Sequence, residues 1–168
     1  MREAFQSFLR EASNRDLSWY FAYGSNMDSE RLEERVGRKG VAWTTGVVFD
    51  YELVFNKIAG DGSGYANIQP KEGEITHGVL YALYEYELWR LDRCEGVPNH
   101  YRRIVLPVKT SGGLIEAFCY IAAEGMTREG LRPHRSYLKL LIRGAEEHHL
   151  PQEYIEKLKR TRCLEDAE

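Results

Sequence analysis

One glutamate in this chain stands where two rules disfavour it. In "LWRLDRCEGVPNHY" (residues 88–101), Leu88 and Leu91 are three apart, Gly96 is a natural stop and Pro98 forbids continuation, so the stretch reads as a helix end. Glu95 continues the apolar spacing, seven residues past Leu88 and four past Leu91, into the last turn. A carboxylate there opposes the negative end of the helix dipole and points toward the core. Both effects disfavour ionisation and predict a pKa raised from ~4.3 toward neutrality, where a carboxylate can take and return a proton at pH 7. The bland reading is a helix-end glutamate that snorkels out or pairs with Arg102 or Arg103.

"YGSN" (23–26) is the second candidate. It leaves an aromatic strand and precedes a helix, so the backbone N–H groups of Tyr23, Gly24, Ser25 and Asn26 can face one hollow beside a helix N-terminus. That is a place for a carboxylate or an oxyanion, although many strand-to-helix turns use Gly, Ser and Asn only for conformational tolerance. Ser25 could act as a nucleophile with His100 as base, but "YGSNM" is not a G-x-S-x-G elbow and no third group is spaced to orient His100. Cys94 points about 100° away from Glu95 around the helix and reads as a buried spectator. Tyr101 and Tyr137 stand out among the tyrosines because each flanks a candidate site element.

The bulk numbers narrow the function classes. At 168 residues, 43% hydrophobic and 29% charged, the chain reads as one globular domain with an ordinary core. A net charge of −3 with interspersed signs argues against a nucleic-acid surface. No apolar run approaches the ~18 residues of a membrane span, and the N-terminus has no secretory apolar region. Three separated cysteines (Cys94, Cys119, Cys163) suit a reducing, cytoplasmic compartment and give no disulfide framework. The five histidines show no metal-ligand spacing, so no metal is expected, and adjacent His148 and His149 read as a solvated helix end.

The elements that must position these residues follow from periodicity. Phe5, Phe8, Leu9 and Ala12 predict an amphipathic helix in an N-terminal extension, 1–18, whose apolar face needs cover from this chain's barrel or from a second subunit in a homodimer. The main domain, 19–163, opens on the strand "WYFAY", followed by a short helix capped by Asp28 or Ser29. Strands are expected at 47–57, at "YANIQP" and at "THGVLYALY" (76–84), then the helix carrying Glu95. A hairpin through "SGG" and two helices at roughly 134–148 and 151–163 complete it, leaving 164–168 as a tail. The class is α+β, with a mixed or antiparallel sheet able to curl into a barrel.

With "YFAYGSNM" (20–27) and "LDRCEGVPNHYRR" (91–103) both in view, the sequence resembles the γ-glutamyl cyclotransferase family. "GYANIQP", "GVLYAL" and the C-terminal "YLKLLIRGAEEHHLPQEYIEKL" extend the resemblance from about Trp19 to Arg160. It implies a small mixed β-barrel with flanking helices, no cofactor, and release of 5-oxoproline from a γ-glutamyl amino acid or amine. It implies that the γ-glutamyl group binds along Tyr20, Phe21, Ala22, Tyr23, Gly24 and Ser25, that Glu95 is the proton acceptor and that Tyr137 contacts the substrate. Asn26 and Tyr101 complete the substrate-binding candidates. The helical extension, Met27 and the short, proline-containing Glu95–Tyr101 interval depart from the family pattern. Two other readings stand beside this one: a non-catalytic small-ligand binding module on the same barrel, and a serine hydrolase using Ser25 and His100.

Overall fold

In the computed structural model, which describes residues 16–165, five strands close into a barrel in the order β1-β3-β2-β4-β5. They are β1 (Leu17–Ala22), β2 (Trp43–Ile58), β3 (Gly64–Tyr84), β4 (Tyr101–Thr110) and β5 (Gly113–Ala122). Neighbours run antiparallel except where β1 meets β5 in parallel at Tyr20 and Phe118, so the barrel is mixed. The flanking helices are α1 (Ser29–Val36), α2 (Glu85–Cys94), α3 (Arg135–Glu147) and α4 (Gln152–Lys159). The expected helix over Phe5, Phe8, Leu9 and Ala12 lies outside the described residues. Among the described residues no helix is long and apolar enough to cross a membrane.

Several local expectations are corrected. "YANIQP" and "THGVLYALY" are one strand with a bulge in its exposed middle: Pro70 pairs with Tyr51 and Ile75 with Phe49, and residues 71–74 stand out opposite Asp50 alone. A register irregularity between Phe49 and Tyr51, with Asp50 at φ 62°, absorbs the mismatch, and the Asp50 carboxylate accepts the Gly73 N–H at 2.9 Å. The final helix stops at Lys159, and Leu164 pairs with His134 through Leu164 N–H to Pro133 O and Arg135 N–H to Leu164 O. His148 is buried, not solvated: its Nδ1 lies 2.7 Å from the Gly144 carbonyl and Trp43 packs edge-on against the ring at 4.3 Å. Cys94 is exposed, because the turn from Glu95 carries it to the outer side of α2.

Two packing arrangements position the site. The α2 helix starts with a cap in which fully buried Glu87 accepts the Tyr84 N–H at 2.9 Å and is held bidentately by Arg38 at 2.9 Å. Its Leu88 and Leu91 are buried, which fixes the rotation of the helix and hence the direction of its last residue. On the other side, α3 buries Leu138, Leu141 and Ala145, and Gly144 lies directly on the chain that follows β1. A Cβ at Gly144 would stand 2.4 Å from the Met27 carbonyl carbon and 2.6 Å from the Asp28 nitrogen, both backbone atoms that cannot swing aside. Gly144→Ala should therefore destabilise the fold by about 1–3 kcal/mol, the usual cost of overpacking, as measured by denaturant unfolding. A neutral result would mean that α3 does not hold the turn in place.

Candidate active site

The turn after β1 is built for close approach. Gly24 faces β3 so nearly that a Cβ there would meet the Ala66 Cβ at 3.3 Å, and Ser25–Met27 then form one 3-10 turn. Asp28 ends the turn and caps α1, its Oδ1 accepting the Arg31 N–H at 3.0 Å while Oδ2 pairs with Arg143. Burial works against that carboxylate, but Arg143 and the Arg31 N–H prevail and hold its pKa below the usual value. Capping orients α1, and α1 carries Arg31 and Arg35, four residues apart on one face.

Glu95 approaches from the opposite side. It is the C-cap of α2, its N–H donating to Leu91 O at 2.8 Å, and the chain turns away through Gly96 at φ 65°. Its Oε1 accepts from Asn26 Nδ2 at 3.1 Å and from Arg35 Nη1 at 3.1 Å. Asn26 is buried, donates also to the Tyr20 hydroxyl at 3.0 Å, and accepts from Arg35 at 3.3 Å. Burial is the largest influence on Glu95 and pushes its pKa up; Arg35, Asn26, Arg31 and Lys57 offset this only in part, so it stays above the ordinary 4.5. The pairing expected with Arg102 or Arg103 does not form: Arg103 pairs with Asp92 at 3.1 Å, because β4 carries it past the helix end.

These groups line one cavity of about 400 Å³, whose far wall rests on an irregularity in the barrel. Between Val54–Asn67 and Lys57–Tyr65 the β2–β3 register slips, leaving Phe55 and Asn56 opposite Ala66 alone. Two tyrosines take up the Ala66 main chain: the Tyr101 hydroxyl donates to Ala66 O at 2.7 Å, and the Ala66 N–H donates to the Tyr137 hydroxyl at 3.0 Å.

The chain is 34% identical over 149 residues to the gamma-glutamylcyclotransferase of Mus musculus, an alignment covering 83% of this chain and 76% of that one. A match of the same identity to the Homo sapiens protein covers the same shares. This chain belongs to the gamma-glutamylcyclotransferase family. It is accordingly an enzyme of that type, which removes the non-catalytic binding module as an alternative. A family model described as AIG2-like matches residues 76–158. A solved structure named gamma-glutamyl cyclotransferase superposes with a TM-score of 0.79 at 30% identity, over 88% of this chain and 89% of its own. The resemblance read from the YGSN turn and the glutamate helix end, and the α+β class with its mixed barrel, both stand.

Within this gamma-glutamylcyclotransferase frame, Tyr20, Tyr23, Gly24, Ser25, Asn26, Glu95, Tyr101 and Tyr137 come together around the cavity. Phe21 and Ala22 do not line it; Phe21 is fully buried against Gly78, and Ala22 is buried in the register opposite Val79. Tyr23 turns its hydroxyl to the Tyr120 carbonyl. The serine-hydrolase pair is not assembled, since Ser25 Oγ accepts from Arg31 Nε at 3.1 Å and His100 Nδ1 is engaged by Lys57 at 3.1 Å. Arg31, Arg35, Lys57, Tyr65 and Tyr120 line the cavity without having been singled out in the sequence. The i, i+4 spacing of the two arginines behind a capped start was the available signal.

The raised pKa of Glu95 has a definite sign in stability. The folded chain holds this proton more tightly than the unfolded chain, so the stabilisation is complete below the ordinary 4.5 and is lost as pH rises through the raised value. Glu95→Gln, which cannot ionise, should gain melting temperature relative to the parent as the pH is raised from about 4.5 to about 8. Thermal melts of both proteins across that range check it, and a gap independent of pH would contradict the assignment.

Proposed function

We propose that Glu95 is the proton shuttle of this enzyme and that the cavity holds a γ-glutamyl compound folded for ring closure. One observation carries the proposal: a carboxylate desolvated enough to raise its pKa, fixed by Asn26 and Arg35 at the wall of a cavity otherwise rich in cations. The substrate's α-ammonium gives a proton to Glu95, and the freed amine attacks the γ-carbonyl carbon. The bond from that carbon to the leaving nitrogen then breaks as Glu95 returns the proton to it, and the ring nitrogen gives up its second proton to the departing amine, which leaves as an ammonium. The products are 5-oxoproline and a free amine or amino acid, and no protein nucleophile is consumed. Holding the folded conformer supplies much of the acceleration, since effective molarities of ~10⁵–10⁸ M are reached by oriented intramolecular reactions.

The remaining residues bind and shape. The N–H groups of Ser25 and Asn26 head the 3-10 turn, where no intrahelical partner is available, and Arg31 stands beside them on Ser25. Together they suit the substrate's α-carboxylate or the oxyanion. Tyr20 braces Asn26, while Tyr23, Gly24, Tyr101 and Tyr137 form walls against the glutamyl chain. A cytoplasmic, homodimeric protein belongs to the same reading; three free cysteines support the compartment, and exposed Val105 and Leu114 on β4 and β5 offer apolar surface to a second copy.

Glu95→Gln should lower 5-oxoproline release from γ-glutamyl substrates by at least ~10²–10⁴, the usual contribution of a positioned acid–base group. Normal turnover in that variant would end the assignment. Ser25→Ala should be impaired through lost anchoring of Arg31 but still active, and intact-mass spectra under turnover should show no adduct on the parent enzyme. A covalent species on Ser25 would restore the hydrolase reading.

A further inference from the structure

Lys57 is a buried cation on the cavity wall that the reaction above leaves unused. The register slip after Val54 turns this residue inward at the end of β2, and as a whole it is only 3% exposed. Its ammonium donates to Ile58 O at 2.6 Å and to His100 Nδ1 at 3.1 Å, and lies 5.9 Å and 5.5 Å from the ring centroids of Tyr65 and Tyr101. An ammonium has three donors and no lone pair, so His100 accepts here and one N–H of Lys57 is left for the cavity. Among the described residues Lys57 has no ion-pair partner. Burial accordingly lowers its pKa, with Glu95 opposing. A buried cation without a counterion is a costly arrangement unless a ligand brings the missing charge.

Counting charges shows what the ligand must bring. Arg35 is neutralised by Glu95 at 3.1 Å, and Arg93 is exposed to solvent at the rim. Arg31 and Lys57 remain, each anchored to a neutral group, Ser25 and His100 respectively, and neither is ion-paired among the described residues. A γ-glutamyl amine has one carboxylate, whereas a γ-glutamyl amino acid has two. The glutamyl end must place its ammonium at Glu95, beside buried Asn26 and the Ser25-anchored Arg31. Lys57 is flanked by exposed His100 and Tyr65, and the leaving portion of the substrate is assigned to this side.

We infer that Lys57, steadied by His100, is the residue of this chain that reads the leaving group, pairing with its carboxylate when the substrate is a γ-glutamyl amino acid. The inference rests on the proposed reaction of this cavity, and its test separates the two. Kinetics are measured on the parent, Lys57→Met and Lys57→Arg with γ-glutamyl-alanine and with γ-glutamyl-alaninamide, which differ only in the charge at issue. The parent should favour the free carboxylate by about 10- to 100-fold in kcat/KM, the scale of one charge-assisted contact. In Lys57→Met the ratio should collapse toward unity, mainly through KM, while Lys57→Arg should restore part of it. Melting temperature should hold or rise in Lys57→Met, because an unpaired buried charge is removed. A parent that handles both compounds equally, or a preference that survives Lys57→Met, overturns the inference. Calorimetric binding of the same two compounds to the same three proteins decides the matter even if none releases 5-oxoproline, an outcome that would sink the reaction and not the charge pairing.

Discussion

A single carboxylate oxygen joins three separate parts of the chain. Glu95 Oε1 accepts from Asn26, on the turn after β1, and from Arg35, on α1, while Glu95 itself closes α2. None of these elements has a reason in its own sequence to meet the others; the buried faces of α2 and the tight seat of α3 on the turn bring them together. Asn26 extends the contact to Tyr20 on the barrel wall, so the orientation of the carboxylate is referred back to the most rigid part of the molecule. Loss of either donor would free the acid to turn into solvent, where it would be an ordinary glutamate.

The electrostatics of the cavity are a compromise between opposing effects. Burial alone favours the protonated acid, which is a poor acceptor. Arg35 alone, in water, would hold it ionised and make it a poor donor. Their combination leaves the pKa raised but opposed, which suits the proton-shuttle role proposed for it. The excess of cations around it fits a substrate that arrives with negative charge of its own.

Legibility in the sequence followed the range of the interactions. Glu95 could be picked out because both penalties on it, the helix dipole and the apolar face, are local and visible in a dozen residues. The hairpin of β4 and β5 and the proline-led helices were readable for the same reason. Arg35 was not, since its partner is sixty residues away in sequence and an arginine in "SERLEERV" looks like any solvated helix charge. Lys57 escaped because alternation is the guide to which side of a strand a residue takes, and the slip beyond Val54 breaks it. β3 looked like two strands because its middle is polar and bulges away from β2, with the pairing resuming on either side at Pro70 and Ile75. His148 deceived by composition alone: a histidine pair near a helix end suggests solvent until Trp43 is seen folded over one of them.

The grip of Tyr101 and Tyr137 on Ala66 is made wholly to main-chain atoms, one to the carbonyl and one to the amide. Nothing in that clasp reads the side chain at position 66, whose Cβ faces Gly24 so closely that a methyl group on the glycine would stand 3.3 Å from it. Descendants of this chain can therefore exchange alanine there for glycine without removing a partner from either tyrosine, whereas a change at the tyrosines strands a buried amide or carbonyl. Evolutionary freedom at this wall is set by volume at one position and by hydrogen-bonding chemistry at the other two.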